Sequence, residues 1–116
     1  MEREDKELLL KDLCARLPYE VKVKFYDHWV DEYEIIPLTA KLLSDTVYIG
    51  DIRPYLFPLS SMTEEQIKEF NSITQKCNTY IGKSILITDF CNKHHIDWRG
   101  FIEKGFAINA TGLNIY

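Results

Sequence analysis

The feature that most constrains this chain is a change of hydrophobic period at Pro18. Before it, Leu10, Leu13, Cys14 and Leu17 fall at i, i+3, i+4 and i+7, the spacing of one apolar stripe on a helix. Beyond it, Val21, Val23 and Phe25 alternate with Lys22, Lys24 and Tyr26, the period of a strand with one dry and one wet face. A residue that precedes proline avoids the helical region, so a helix over residues 4–17 ends there. Glu4, Asp5 and Glu7 near its start and Arg16 near its end both suit the helix dipole.

The pattern after the switch predicts a meander. A turn over 27–31 leads to a second apolar run over 33–43, which Pro37 breaks, bulges or confines to a sheet edge. Ser44-Asp45 signals a further turn, and Val47 and Ile49 alternate in a third short strand ended by Gly50-Asp51. Residues 53–59, with Pro54 and Pro58, read as an extended connector over the core. Thr63-Glu64-Glu65-Gln66 fits a capping box, with Met62 and Ile67 at the staple positions, for a helix over 64–76 with Ile67, Phe70 and Ile73 or Thr74 inward. Residues 77–83 read as a loop. Ser84 is the expected cap of a helix that aligns Ile87, Phe90, Cys91 and His94, and Asp97 the cap of a short helix over 98–104 that Gly105 stops. A brief strand over 106–108 follows. The expected fold is one α+β domain over 1–116: an N-terminal helix, a three-stranded antiparallel β-meander, then two or three helices packed on one sheet face.

Composition narrows the function classes. The 116 residues carry a formal net charge of −4 and a hydrophobic fraction of 46%, which excludes a disordered tail or a collagen-like chain. A protein held by phosphate contacts normally shows a basic stripe, whereas Lys22-Val23-Lys24, the densest basic segment, lies between Glu20 and Asp27. Nucleic acid is therefore not the favoured partner. Three cysteines (Cys14, Cys77, Cys91) without CxxC spacing speak against a disulfide framework. Cys14 is expected in the core. The charged start, and only three leucines before Lys11, do not fit a secretory signal, and no run approaches a membrane span. A cytoplasmic address is expected.

Three segments carry a family resemblance: Lys-Glu-Leu-Leu-Leu-Lys-Asp-Leu-Cys-Ala-Arg-Leu-Pro-Tyr (6–19), Ile-Arg-Pro-Tyr-Leu-Phe-Pro-Leu-Ser-Ser-Met-Thr-Glu-Glu (52–65) and Asp-Trp-Arg-Gly-Phe-Ile-Glu-Lys-Gly-Phe-Ala (97–107). In this order they resemble a family of small proteins of Bacteroides-type gut bacteria and their prophages or mobile elements. That family has no assigned activity, so the resemblance implies context, a cytoplasmic accessory protein, and carries over no catalytic residue.

Candidate sites each have a plain structural alternative. Cys91, His94, His95 and Asp97 supply ligand types that zinc accepts, or a thiol beside a base; they equally describe a packed cysteine and a solvated helix end. Asp27, Asp31, Glu32 and Glu34 surround Trp29 without the glycine or spacing of a Ca²⁺ loop, as a solvated turn would. Trp29 either folds back onto the core or stands out as a contact anchor. Arg53, Tyr55, Phe57, Trp98 and Arg99 either form an aromatic and basic surface or seal the core. The leading expectation is a non-catalytic module that binds a protein partner, without cofactor, metal or membrane. The alternatives are a nucleic-acid accessory protein using Arg53, Arg99 and nearby aromatics, and a small metal-dependent enzyme.

Overall fold

The computed structural model describes residues 2–45 and 49–116. Its architecture is mixed α+β. The change of period falls where the sequence puts it: α1 (Arg3–Arg16) passes through one 3-10 turn at Leu17–Tyr19 into β1 (Lys22–Asp27). Then come β2 (Glu32–Pro37), α2 (Ala40–Asp45), β3 (Ile52–Pro58), α3 (Glu64–Lys76), α4 (Tyr80–Lys93), β4 (Ile96–Asp97), α5 (Phe101–Lys104) and β5 (Ile108–Asn109).

Among the described residues the sheet has five strands in the order β2-β1-β3-β4, with β5 also on β3. β1 is antiparallel to β2 and β3, while β4 and β5 run parallel to β3. The expected three-stranded antiparallel meander is thus corrected to a mixed sheet. The third strand foreseen around 47–49 falls largely on residues 46–48, outside the described ones, and Ile49 lies in a 3-10 turn. The third strand in the chain is instead Ile52–Pro58, which takes up most of the 53–59 segment expected to be a connector.

Ladder phase explains how a proline enters that strand. Leu38 N donates to Val21 O at 2.9 Å, one step beyond the register pair Lys22↔Pro37. Bonds alternate along an antiparallel ladder, so Val23, Phe25 and Asp27 turn their backbone groups to β2. Lys22, Lys24 and Tyr26 turn theirs to β3. Pro54 pairs with Val23, a position at which β1 requires no N–H from it. The next position in that register sets Lys22 opposite Tyr55, and there the Tyr116 hydroxyl is interposed. It accepts from Lys22 N (2.9 Å) and donates to Tyr55 O (2.7 Å).

The main core joins Leu9, Leu13, Val21, Val23, Leu38, Ile52, Leu56, Phe101 and Ala107. A second cluster centres on Phe90, Cys91 and Ile96, flanked by Met62, Phe70, Ile73, Ile87 and Trp98. The inward stripe of α1 is not the expected one. Leu9, Asp12, Leu13 and Arg16 are buried, whereas Leu10 and Cys14 are exposed. Asp12 and Arg16 are both fully enclosed. Arg16 Nε donates to Asp12 Oδ2 (2.8 Å), Arg16 Nη2 to Ile96 O (2.8 Å), and Arg99 Nε to Asp12 Oδ1 (3.0 Å). A charge tolerates burial when paired and hydrogen-bonded in this way.

Helix ends follow local chemistry. The capping box of α3 is present: Gln66 N donates to Thr63 Oγ1 (3.1 Å) and Thr63 N to Gln66 Oε1 (2.9 Å). Ile67, expected inward, is exposed, while Met62 joins the second cluster. Thr79 rather than Ser84 caps α4, accepting from Gly82 N, so half of the loop foreseen over 77–83 is helix. Asp97 does hold the start of the next helix, accepting from Phe101 N and Ile102 N at 2.9 Å each. That helix is shorter than expected, and Gly105 stops it at φ 79°.

Candidate functional site

The β1–β2 hairpin closes at Asp27↔Glu32, leaving His28, Trp29, Val30 and Asp31 as the loop. Asp27 Oδ1 accepts from Trp29 N at 2.9 Å, and Asp31 takes a left-handed φ of 55°, a conformation that Asp adopts more readily than most residues. These two devices shape the turn. Trp29 is 98% exposed, which resolves its two sequence alternatives in favour of the outward one.

The hairpin's outer face continues from that tip. Lys24↔Ile35 and Tyr26↔Tyr33 occupy non-hydrogen-bonded positions, where facing side chains come closest. The Tyr26 and Tyr33 rings meet edge to face at 4.9 Å, Lys24 Nζ lies 4.6 Å from the Tyr33 ring centre, and His28 contacts Tyr26 at 4.7 Å. His28 Nε2 is 2.6 Å from Asp51 Oδ2. Tyr26, His28, Tyr33, Gly50, Asp51 and Arg53 line a shallow cleft of about 260 Å³. Val30, Tyr33 and Ile35 remain more than half exposed. The sequence reading singled out Trp29 and its carboxylates but not Tyr33 and Ile35. Their signal was present, since Tyr33 and Ile35 alternate with Glu32 and Glu34 in period two.

The other candidates do not form one aromatic and basic surface. Tyr55 is buried, and burial pushes its phenol up. Phe57 is half-buried with its ring 5.7 Å from that of Tyr116. Arg53 is exposed and donates from Nε to Gly105 O at 3.0 Å. Trp98 and Arg99 line a different cleft of about 600 Å³, with Pro58, Leu59, Ser60, Asp97, Gly100, and Ile102 and Glu103 of α5. Trp98 Nε1 donates to Asn92 Oδ1 (3.2 Å), and the Arg99 guanidinium lies 4.0 Å over the Trp98 ring while bonding Asp12. The two clefts share no lining residue, and both arginines already hold structural partners.

Cys91, His94 and His95 part company as well. Cys91 is buried, and that burial pushes its thiol up although the Arg16 charge pulls the other way. A raised thiol is a poorer nucleophile source. His94 Nε2 lies 3.2 Å from Glu69 Oε2, with its ring against Phe90. His95 takes φ 59° and stacks on Tyr116 at 4.0 Å. Burial, then the charges of Arg16 and His94, hold the His95 imidazole down at about 4. Among the described residues no three His, Cys, Asp or Glu side chains gather at metal-ligand spacing. Tyr116 shows 44% of its surface, yet its hydroxyl end is enclosed between β1 and β3, and burial pushes that phenol up to about 12.

No helix among the described residues is long and apolar enough to cross a membrane. Comparisons with protein-family models, with curated proteins and with solved structures find no match.

Proposed function

We propose that the chain is a non-catalytic, protein-binding accessory module that makes contact through the β1–β2 hairpin. One observation carries this reading: Trp29, at 98% exposure, stands on a turn shaped by Asp27 and Asp31 and adjoins the exposed Val30, Tyr33 and Ile35. Leaving the indole wholly, and Val30, Tyr33 and Ile35 about half, in water forgoes part of the roughly 1.5–3 kcal/mol that full burial of a large apolar side chain gives. Interface hot spots are built from such aromatic anchors ringed by polar groups, and Asp27, Asp31, Glu32 and Glu34 provide the ring. The commitments of Arg53 and Arg99 to Gly105 and Asp12 weigh against a nucleic-acid surface. The resemblance of the three segments adds the context of a cytoplasmic accessory protein from a Bacteroides-type bacterium or its mobile elements.

The test is a pull-down from such a host with the wild-type chain and Trp29→Ala, the fold of each checked by circular dichroism and thermal melting. The expected result is an unchanged melting curve and loss of the captured protein. Equal capture by the two folded proteins would refute the hairpin as the contact surface.

A further inference from the structure

We infer that the hairpin takes its partner as an added β-strand, an extended basic segment laid along the outer edge of β2. The inference rests on the hairpin reading and names the chemistry of the partner. Among the described residues β2 pairs with β1 alone, so one edge of the sheet is open. The ladder phase set by Leu38 N and Val21 O directs the backbone groups of Glu32, Glu34 and Ile36 to β1. It directs the N–H and C=O of Tyr33 and Ile35 outward, ready to pair with another strand.

Side chains choose which strand. β2 presents exposed Glu32 and Glu34 on one face and exposed Tyr33 and Ile35 on the other. With Asp27 and Asp31, the segment from 25 to 40 holds four carboxylates and no lysine or arginine. Cross-strand neighbours of opposite charge stabilise a pair and like charges destabilise it. A matching strand therefore alternates Lys or Arg, set beside Glu32 and Glu34, with apolar residues set beside Tyr33 and Ile35. The same carboxylates disfavour β2 of a second copy, which would bring its own glutamates to the edge. Charged edge residues commonly guard against aggregation, and here they reject self-pairing while leaving the edge open to a basic strand. Pro37 ends the site, since it has no N–H to offer at the next outward position.

The probe is an eight-residue capped peptide alternating lysine and valine. It is compared with its glutamate–valine counterpart, a scrambled lysine–valine peptide, and a lysine–valine peptide N-methylated at alternate amides. Fluorescence anisotropy gives affinity, and amide hydrogen exchange read by NMR locates the ladder. The expected result is binding of the lysine–valine peptide at least about tenfold tighter than any control. Exchange at Tyr33 and Ile35 should slow at least about tenfold on binding. The E32K/E34K variant should bind at least about tenfold more weakly. Ile35→Pro, which removes an outward N–H that β1 does not use, should lose the peptide while Ile35→Ala keeps most of it. Should Ile35→Pro misfold, the N-methylated peptide tests the same bond from the other side.

Equal binding of the N-methylated or scrambled peptide, or unchanged exchange at Tyr33 and Ile35, overturns strand addition. Slowing of those amides with protein concentration and no peptide would make the occupant a second copy and overturn the basic partner. If a host protein is captured through Trp29 but its contact leaves those two amides unprotected, strand addition fails and the hairpin reading survives. If capture does not depend on Trp29, it is the hairpin reading that fails.

Discussion

The enclosed pair Asp12 and Arg16, with Arg99 at its edge, makes the sharpest claim about what holds this fold together. Asp12 and Arg16 lie at zero exposure, so removing one leaves the other as a charge without water. Breaking such a pair from one side costs about 3–5 kcal/mol. Asp12→Ala should sit within that range, since it strips both arginines of their shared carboxylate. Arg16→Met should fall at the low end: Arg99 still neutralises Asp12 at 3.0 Å, and methionine refills much of the volume. Asp12→Leu combined with Arg16→Met removes both fully enclosed charges together, leaves Arg99 unpaired but partly exposed over Trp98, and should recover much of the Asp12→Ala loss. For a chain of this size about 4 °C accompanies each kcal/mol, so Asp12→Ala should melt about 12–20 °C lower. Urea unfolding with an unchanged m-value, together with thermal melts, measures all three variants. The Asp12→Ala deficit should also persist at high salt, because a buried pair is little screened. A single-variant cost below about 1 kcal/mol would refute the reasoning. So would a double variant as unstable as the sum of the singles, because the charges would then not be coupled.

Two further outcomes follow from buried titratable groups. His95 is held neutral in the fold at about 4 against an ordinary 6.5. Its contribution is complete above about pH 6.5 and is lost as pH falls towards 4, amounting to at most about 3 kcal/mol. His95→Asn accepts the same left-handed backbone. The difference in unfolding free energy between wild type and variant should shift against the wild type across that window, and parallel pH profiles would contradict it. The thiols should separate by burial: Cys14, exposed on α1, reacts first with an alkylating reagent, and enclosed Cys91 only as the chain unfolds. Mass spectrometry of a timed labelling series that found Cys91 modified as fast as Cys14 would disprove this packing.

The sequence showed most where a feature depends on neighbours in the chain. The period change at Pro18, the Thr63–Gln66 box, the stop at Gly105 and the turn around Trp29 are all local, and all appear in the structure. Features decided by distant partners were not legible. A rule that sends charged residues outward places Leu10 and Cys14 inside α1. Asp12 and Arg16, at the i, i+4 spacing of an ordinary surface pair, displace them because Arg99 and the Ile96 carbonyl wait 80 or more residues away. Pro54 and Pro58 made 53–59 look like a connector, since the tolerance of Pro54 depends on ladder phase, which no composition reveals. Strand β4, at two residues, is too short to show a period, and the brief strand expected over 106–108 meets β5 only at Ile108.

The hairpin site falls between these cases, and the division is informative about what its partner must do. Its loop geometry is local, while its exposure reflects how far β1 and β2 run beyond the core that Val23 and Ile36 still touch. Along the hairpin the inward position passes from the buried Val23 to the half-buried Phe25 and then to Asp27, while the facing β2 residues pass from Ile36 to Glu34 and Glu32. The arm therefore keeps its register by hydrogen bonds and the Tyr26–Tyr33 contact rather than by burial. Beyond Phe25, where the β3 pairing ends, the arm is two-stranded and has less to hold it than the rest of the sheet. A third strand on β2 would supply both the missing ladder and cover for Tyr33 and Ile35, so binding and stiffening of the arm would be one event.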